Sequence, residues 1–204
     1  NSKGAWMDNL FFVVCGSATS WMIKNVIDNH GGLHNRITHE MHLRPFDLHE
    51  TEEFLKYNGI QWNRLSIVQI YMALGGIPYY LGMLDKTMRV AENIDALFFS
   101  DDAELRKEYP RLFKSLFNDP ENYITIINIL ADCKQGMTRK EIAELPQFKN
   151  NGHLTVMLDN LVSCDFVRIY NNGKKQNGCI YQLTDFYTLF YNKFCKKRTT
   201  DDHY

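Results

Sequence analysis

Residues 150–184 read NNGHLTVMLDNLVSCDFVRIYNNGKKQNGCIYQLT. Leu154, Met157, Leu158 and Leu161 recur at helical spacing, so this segment opens as an amphipathic helix. The pattern then changes period. FVRIYN and CIYQLT alternate apolar and polar residues, and the turn-rich NGKKQNG joins them, which predicts a β-hairpin. Two further helices precede this segment. YITIINILADC is apolar and helical, and MTRKEIAEL opens with Thr138 and Glu141 at capping-box spacing. Three helices followed by a hairpin form the winged helix-turn-helix pattern. In such a module the third helix enters the DNA major groove and the hairpin flanks it. Lys149, Asn150, Asn151, His153 and Thr155 are the candidate DNA-binding residues at the helix start, with Lys174 and Lys175 at the hairpin tip. The helix also carries Asp159 and few cations, so docking on a protein stays open beside duplex DNA.

Working outward, the middle of the chain reads as helical. DLHETEEFLKYNG starts with Asp47 as N-cap and Glu50 three residues on, and ends at Gly59. Residues 63–74 form another amphipathic helix that stops in GGIPYYL. Residues 79–98 and 103–116 look helical too, with Pro110 as a break. Within them ALFFSDD (96–102) imitates an apolar strand ending in paired acids, as a magnesium-binding strand would. Its helical surroundings favour a helix end followed by an acidic cap. No G-x-x-x-x-G-K-[ST] phosphate loop occurs in the chain.

The N-terminal part differs again. FFVVCGSATS (11–20) begins as a short apolar run that stops at Gly-Ser, and residues 10–15 read as a buried strand. From Ser17 the spacing is helical, and residues 37–43, ITHEMHL, alternate as a second strand. Strand, helix, strand is one βαβ unit, which implies a parallel sheet needing further strands. The apolar faces of such a strand would be exposed, rearranged or self-associated if no sheet covered them. Ser17 lacks the second glycine of a G-x-S-x-G nucleophile turn. His34, His39 and His42 lack metal-binding helical spacing, and His39 and His42 would point to opposite sides of a strand. No metal site is expected.

Composition bounds the rest. The 204 residues are 45% hydrophobic and 13% aromatic, with a formal net charge of −1. That suffices for real cores and gives no global field for nucleic acid. Five widely spaced cysteines without C-x-x-C argue against a disulfide framework and for a reducing, cytoplasmic setting. No apolar run approaches the roughly 18 residues of a membrane span. The N-terminus has no signal-peptide pattern.

Taken in order, these pieces resemble one family. FFVVCGSATSWMIKNV, GGLHNRITHEMHLRPFDLHETEEFL, ALGGIPYYL, LFKSLFNDPENYITIINILAD, the winged-helix pattern and YQLTDFYTLFYNKF are similar to the C-terminal half of prokaryotic archaeal-type AAA+ ATPases near the STAND NTPases. The resemblance implies a multidomain α+β fold. Residues 1–58 would be the remnant of a P-loop α/β core, 59–116 an all-helical lid, 117–185 the winged helix, and 186–204 a C-terminal tail. It also implies that Ser17 is the sensor 1 group near the γ-phosphate and Arg36 an arginine finger, acting in cis or in trans. Gly76 and Pro78 would be the lid's cofactor-binding G-x-P motif, with Pro78 against adenine. Each residue has a plainer alternative: Ser17 as a helix cap, Arg36 in a surface ion pair, Gly76 and Pro78 as a helix end. ATP and Mg are expected in the intact protein. The Walker A and Walker B motifs, which lie upstream in this family, are missing from these residues. Tight nucleotide binding and ATPase activity are therefore not expected of this stretch alone. The alternatives are a stand-alone winged-helix transcriptional regulator and a protein-interaction module.

Overall fold

The structure is a computed structural model that describes residues 13–16, 37–148, 152–171 and 178–196. The described residues are mostly helical, with one small sheet. Residues 37–47 approach as an extended strap without regular structure. Helix α1 (Leu48–Tyr57) then starts at the expected capping box. The Glu50 amide donates to Asp47 Oδ1 at 2.8 Å and the Asp47 amide to Glu50 Oε2 at 2.9 Å. These bonds satisfy two amides that the helix itself leaves unpaired. Helix α2 (Arg64–Leu74) is capped by Asn63 and buries Ile67, Ile70, Ala73 and Leu74. The short α3 (Pro78–Leu81) starts on Pro78, whose missing N–H costs nothing at that position.

The sequence predicts a single helix over 79–98, and the structure breaks it. Asp85 Oδ1 accepts from the Thr87 amide and hydroxyl, which turns the chain. Helix α4 (Val90–Ile94) follows and runs into a π-helical turn, Asp95–Phe99. Asn93 is buried and pins the turn from inside. Its Nδ2 donates to the carbonyls of Asp85, Met88 and Arg89, and its Oδ1 accepts from the Asp85 amide. The acidic pair after ALFF therefore follows a helix end, as expected, and Phe98 and Phe99 are core residues. Helix α5 (Glu104–Leu116) accommodates Pro110 and buries Leu105, Tyr109 and Phe113.

Helix α6 (Pro120–Asp132) buries Tyr123, Ile126, Ile127 and Leu130. Strand β1 (Met137–Thr138) leads into α7 (Arg139–Glu144), which opens at the Thr138–Glu141 capping box. Helix α8 (Leu154–Ser163) buries all four residues of its apolar face. It ends at Asp165, in the left-handed region with φ 60°. Strands β2 (Val167–Tyr170) and β3 (Ile180–Leu183) pair antiparallel, with Val167 opposite Leu183 and Ile169 opposite Tyr181. The sheet order is β1-β3-β2. Gly136 (φ 75°) lets β1 approach β3, since a Cβ there would stand 2.4 Å from the Tyr181 carbonyl oxygen.

Two expectations need correction. The anticipated strands at 10–15 and 37–43 do not form where the structure describes them, and the antiparallel sheet is the sheet among the described residues. Val13 is 69% exposed, Met41 76% and Leu43 81%. A strand exists only where a neighbour supplies N–H and C=O partners, and no described residue supplies them there. The α/β core remnant is thus not seen as a sheet among these residues. Second, the segment expected to begin a tail at 186 is structural. Asp185 caps α9 (Phe186–Phe190), which continues as a π turn, Tyr191–Cys195. Tyr187, Phe190 and Cys195 are buried.

Candidate functional site

Two places carry the candidate residues. The first is the Gly75-Gly76-Ile77-Pro78 turn between α2 and α3. Gly75 (φ 66°) ends α2 in a conformation that disfavours side chains. Gly76 is buried against the strap. A Cβ on it would lie 1.8 Å from the Phe46 carbonyl oxygen. The Phe46 amide donates to the Gly76 carbonyl at 2.7 Å, and the Tyr71 hydroxyl donates to the Phe46 carbonyl at 2.9 Å. Burial pushes the Tyr71 phenol up, with Asp47 and Glu50 adding to the shift. Gly76 therefore accommodates the protein's own backbone, 30 positions away in sequence. Pro78 and its neighbour Tyr79 lie on the surface, Tyr79 at 65% exposure, whereas Tyr80 turns inward onto the Tyr187 ring. The turn thus offers an apolar external face beside a closed internal contact.

Elsewhere, Leu48, His49, Glu52, Arg64, Ile67 and Val68 line a shallow hollow between α1 and α2. Its one strongly organised charge is Glu52, which accepts from Lys56 Nζ at 2.6 Å and lies 3.6 Å from Arg64 Nε. The Lys56 hydrogen bond is the main cause that holds the Glu52 carboxyl below its ordinary value. No group of three or more His, Cys, Asp or Glu fit for a metal ion occurs among the described residues. The described residues thus present an apolar surface at Pro78 and Tyr79 beside the closed Gly76 contact.

The second place is the outer face of α8 and the hairpin. His153 and Thr155 are exposed at the helix start, and Val156 is 55% exposed. Arg139, at the first position of α7, donates from Nε to Thr155 Oγ1 at 2.6 Å. On β2, Arg168 donates to Gln182 Oε1 at 2.7 Å and lies over the Tyr170 ring. Sequence reasoning missed Arg139 and Arg168. The available signals were the basic pair that follows the Thr138 cap and the outward position of Arg168 in the alternating strand. Ser17, Arg36, Lys149, Asn150, Asn151, Lys174 and Lys175 lie outside the described residues. The structure therefore joins Thr155 to Arg139, and sets Gly76 and Pro78 apart on opposite sides of one turn.

Of the three clustered histidines, His42 has a defined partner. Its Nε2 stands 3.1 Å from Asp165 Oδ2, in the turn after α8. None of the five cysteines forms a disulfide among the described residues. No helix among the described residues is long and apolar enough to cross a membrane.

No family model and no curated protein matches the chain. Among solved structures, a Walker-type ATPase of Pyrococcus abyssi is similar, with a TM-score of 0.56 and 16% sequence identity. The similarity covers 87% of this chain and 51% of that one, so the chain spans about half the length of that ATPase. At this identity the likeness is one of fold.

Proposed function

We propose that the chain is the sensor, helical-lid and winged-helix part of a P-loop ATPase that works as a nucleotide-dependent switch. The observation that carries this reading is the fold similarity to the Walker-type ATPase over 87% of the chain. The ordered sequence resemblance points to the same class. In this reading residues 1–58 belong to the nucleotide-binding core, 59–116 to the lid and 117–185 to the winged helix. Bound ATP·Mg would supply the transferable phosphoryl group and neutralise its charge. The Ser17 hydroxyl would orient the attacking water, and the Arg36 guanidinium would meet the charge that develops on the phosphoryl oxygens. Pro78 and Tyr79 would cover the adenine, while Gly76 holds the strap that joins core to lid. Phosphate and Mg ligands would come from the nucleotide-binding half that lies outside these residues.

The test is ATP hydrolysis by the protein expressed from the complete coding sequence. The reading expects a G-x-x-x-x-G-K-[ST] encoded upstream, and a roughly thousandfold loss of turnover in Arg36→Ala if that residue is the finger. A complete coding sequence without the motif would overturn it.

A second reading is favoured by the α8 face, where Thr155 and Val156 are exposed and Arg139 donates to Thr155. It makes the chain a winged-helix regulator that contacts duplex DNA. Salt-dependent gel shifts that weaken in a Lys174→Ala, Lys175→Ala variant would support it. Unchanged binding in that variant would argue against a reading hairpin. Binding of a protein instead of DNA would leave Val156 and Ile169 as the docking contacts.

A further inference from the structure

In the sequence, the lid and the winged-helix segment look like separate units, so a switch could swing one against the other. The packing argues otherwise. One hydrophobic core runs from Leu55 in α1 to Cys195 at the C-terminal turn, through every helix between them. The contacts between the two halves are specific as well as extensive. Phe113 of α5 stacks on Phe166 with ring centroids 5.2 Å apart, and Phe117 stacks on Tyr123 at 3.8 Å. The C-terminal segment 186–195 follows the hairpin in sequence but packs back on the lid helices. Phe186 meets Tyr71 of α2 at 5.3 Å, and Phe190 meets Phe98 at 4.7 Å. The buried Tyr187 hydroxyl donates to the Leu105 carbonyl at 2.6 Å. Asn192 Nδ2 donates to the Tyr109 hydroxyl at 3.0 Å, and Tyr109 stacks on Tyr191 at 3.8 Å. Turning one half against the other would open this aromatic junction and strand its buried hydroxyls and amide without partners, a large combined penalty.

We infer that the described residues between 48 and 195 form one rigid lever, with the strap 37–47 fastened along it, so that the α8 face moves with the lid and not against it. The strap has no helix or strand of its own and touches the lever at identifiable points: Phe46 under Gly76 and Tyr71, and His42 on Asp165. His42 thus reaches the sheet-bearing half, while Phe46 is held by the helical half, so the strap spans both. What displaces the lever rests on the ATPase reading, whereas the rigidity does not.

Native-state hydrogen exchange on this chain, without nucleotide, separates the two. The slowest amides of α2 and of β3 should open with the same free energy and the same denaturant dependence, as members of one cooperative unit. Tyr187→Ala should accelerate both sets together, by roughly a hundredfold. If that variant does not fold, Tyr187→Phe removes only the bond to Leu105 and should accelerate both sets equally, by roughly tenfold. Strand amides that open while α2 stays protected, or a Tyr187 variant that loosens one set alone, would overturn the lever. Failure of the complete protein to bind ATP would leave this result untouched.

Discussion

Residues 37–43 and strand β3 share one sequence pattern and adopt different structures. Both alternate apolar and polar residues. β3 lies between β1 and β2, and its Tyr181 and Leu183 are buried. The strap pairs with no strand among the described residues, and Met41 and Leu43 face solvent. Alternation fixes which side chains share a face, but hydrogen-bond partners decide whether a strand forms. A hairpin brings its partner within a few residues, whereas a parallel strand needs a distant one. Among the described residues the strap therefore keeps the pattern of a sheet strand without a partner.

Substitutions can break or sharpen this contrast. The largest effect is expected at the paired end. Gly136→Ala forces a side chain onto a φ of 75° and drives its Cβ to 2.4 Å from the Tyr181 carbonyl. A loss of about 3 kcal/mol is expected in denaturant unfolding, because the central strand cannot move away. Gly76→Ala meets a worse overlap, 1.8 Å from the Phe46 carbonyl, yet should cost less, about 2 kcal/mol, because the strap can yield. If Gly76→Ala proves the costlier of the two, the strap is as firmly fixed as the sheet and the contrast fails.

A smaller effect concerns the cap of α9. Burial pushes the Asp185 carboxyl up, against the opposing hydrogen bonds from Thr188. A raised folded value means that the native state holds its proton longer. Stability relative to Asp185→Asn should therefore fall as pH rises from the unfolded value of about 3.8 through the raised folded value, then level off. Melting temperatures of both proteins from pH 3 to 7 read this directly. Wild-type stability that rises with pH relative to Asp185→Asn over this range would contradict the assignment. The smallest effect belongs to His42→Ala. The His42–Asp165 pair is half-exposed, so the loss should stay below about 1 kcal/mol and fade in high salt.

Local features of the fold were legible in the sequence. Both capping boxes, Asp47 with Glu50 and Thr138 with Glu141, require residues only three positions apart, and both are present. The four apolar residues of α8 and the hairpin alternation are equally local. Features set by distant contacts were not legible. Asn93 breaks the helix predicted over 79–98 by bonding back to Asp85, and the burial of Tyr187 depends on Leu105, 82 residues away. The candidate site divides the same way. Pro78 at a helix start can be read from its neighbours, but the approach of Gly76 to Phe46 follows only from the folded chain. Arg139 was passed over because its partner Thr155 lies 16 residues on, across a helix–helix contact.

The ATPase reading is tested most directly by calorimetric titration of ATP·Mg into the protein expressed from the complete coding sequence, beside the same titration of these 204 residues. The account predicts saturable binding to the complete protein and none at comparable concentration to the shorter chain. Absence of binding by the complete protein, or equal binding by both, would contradict it.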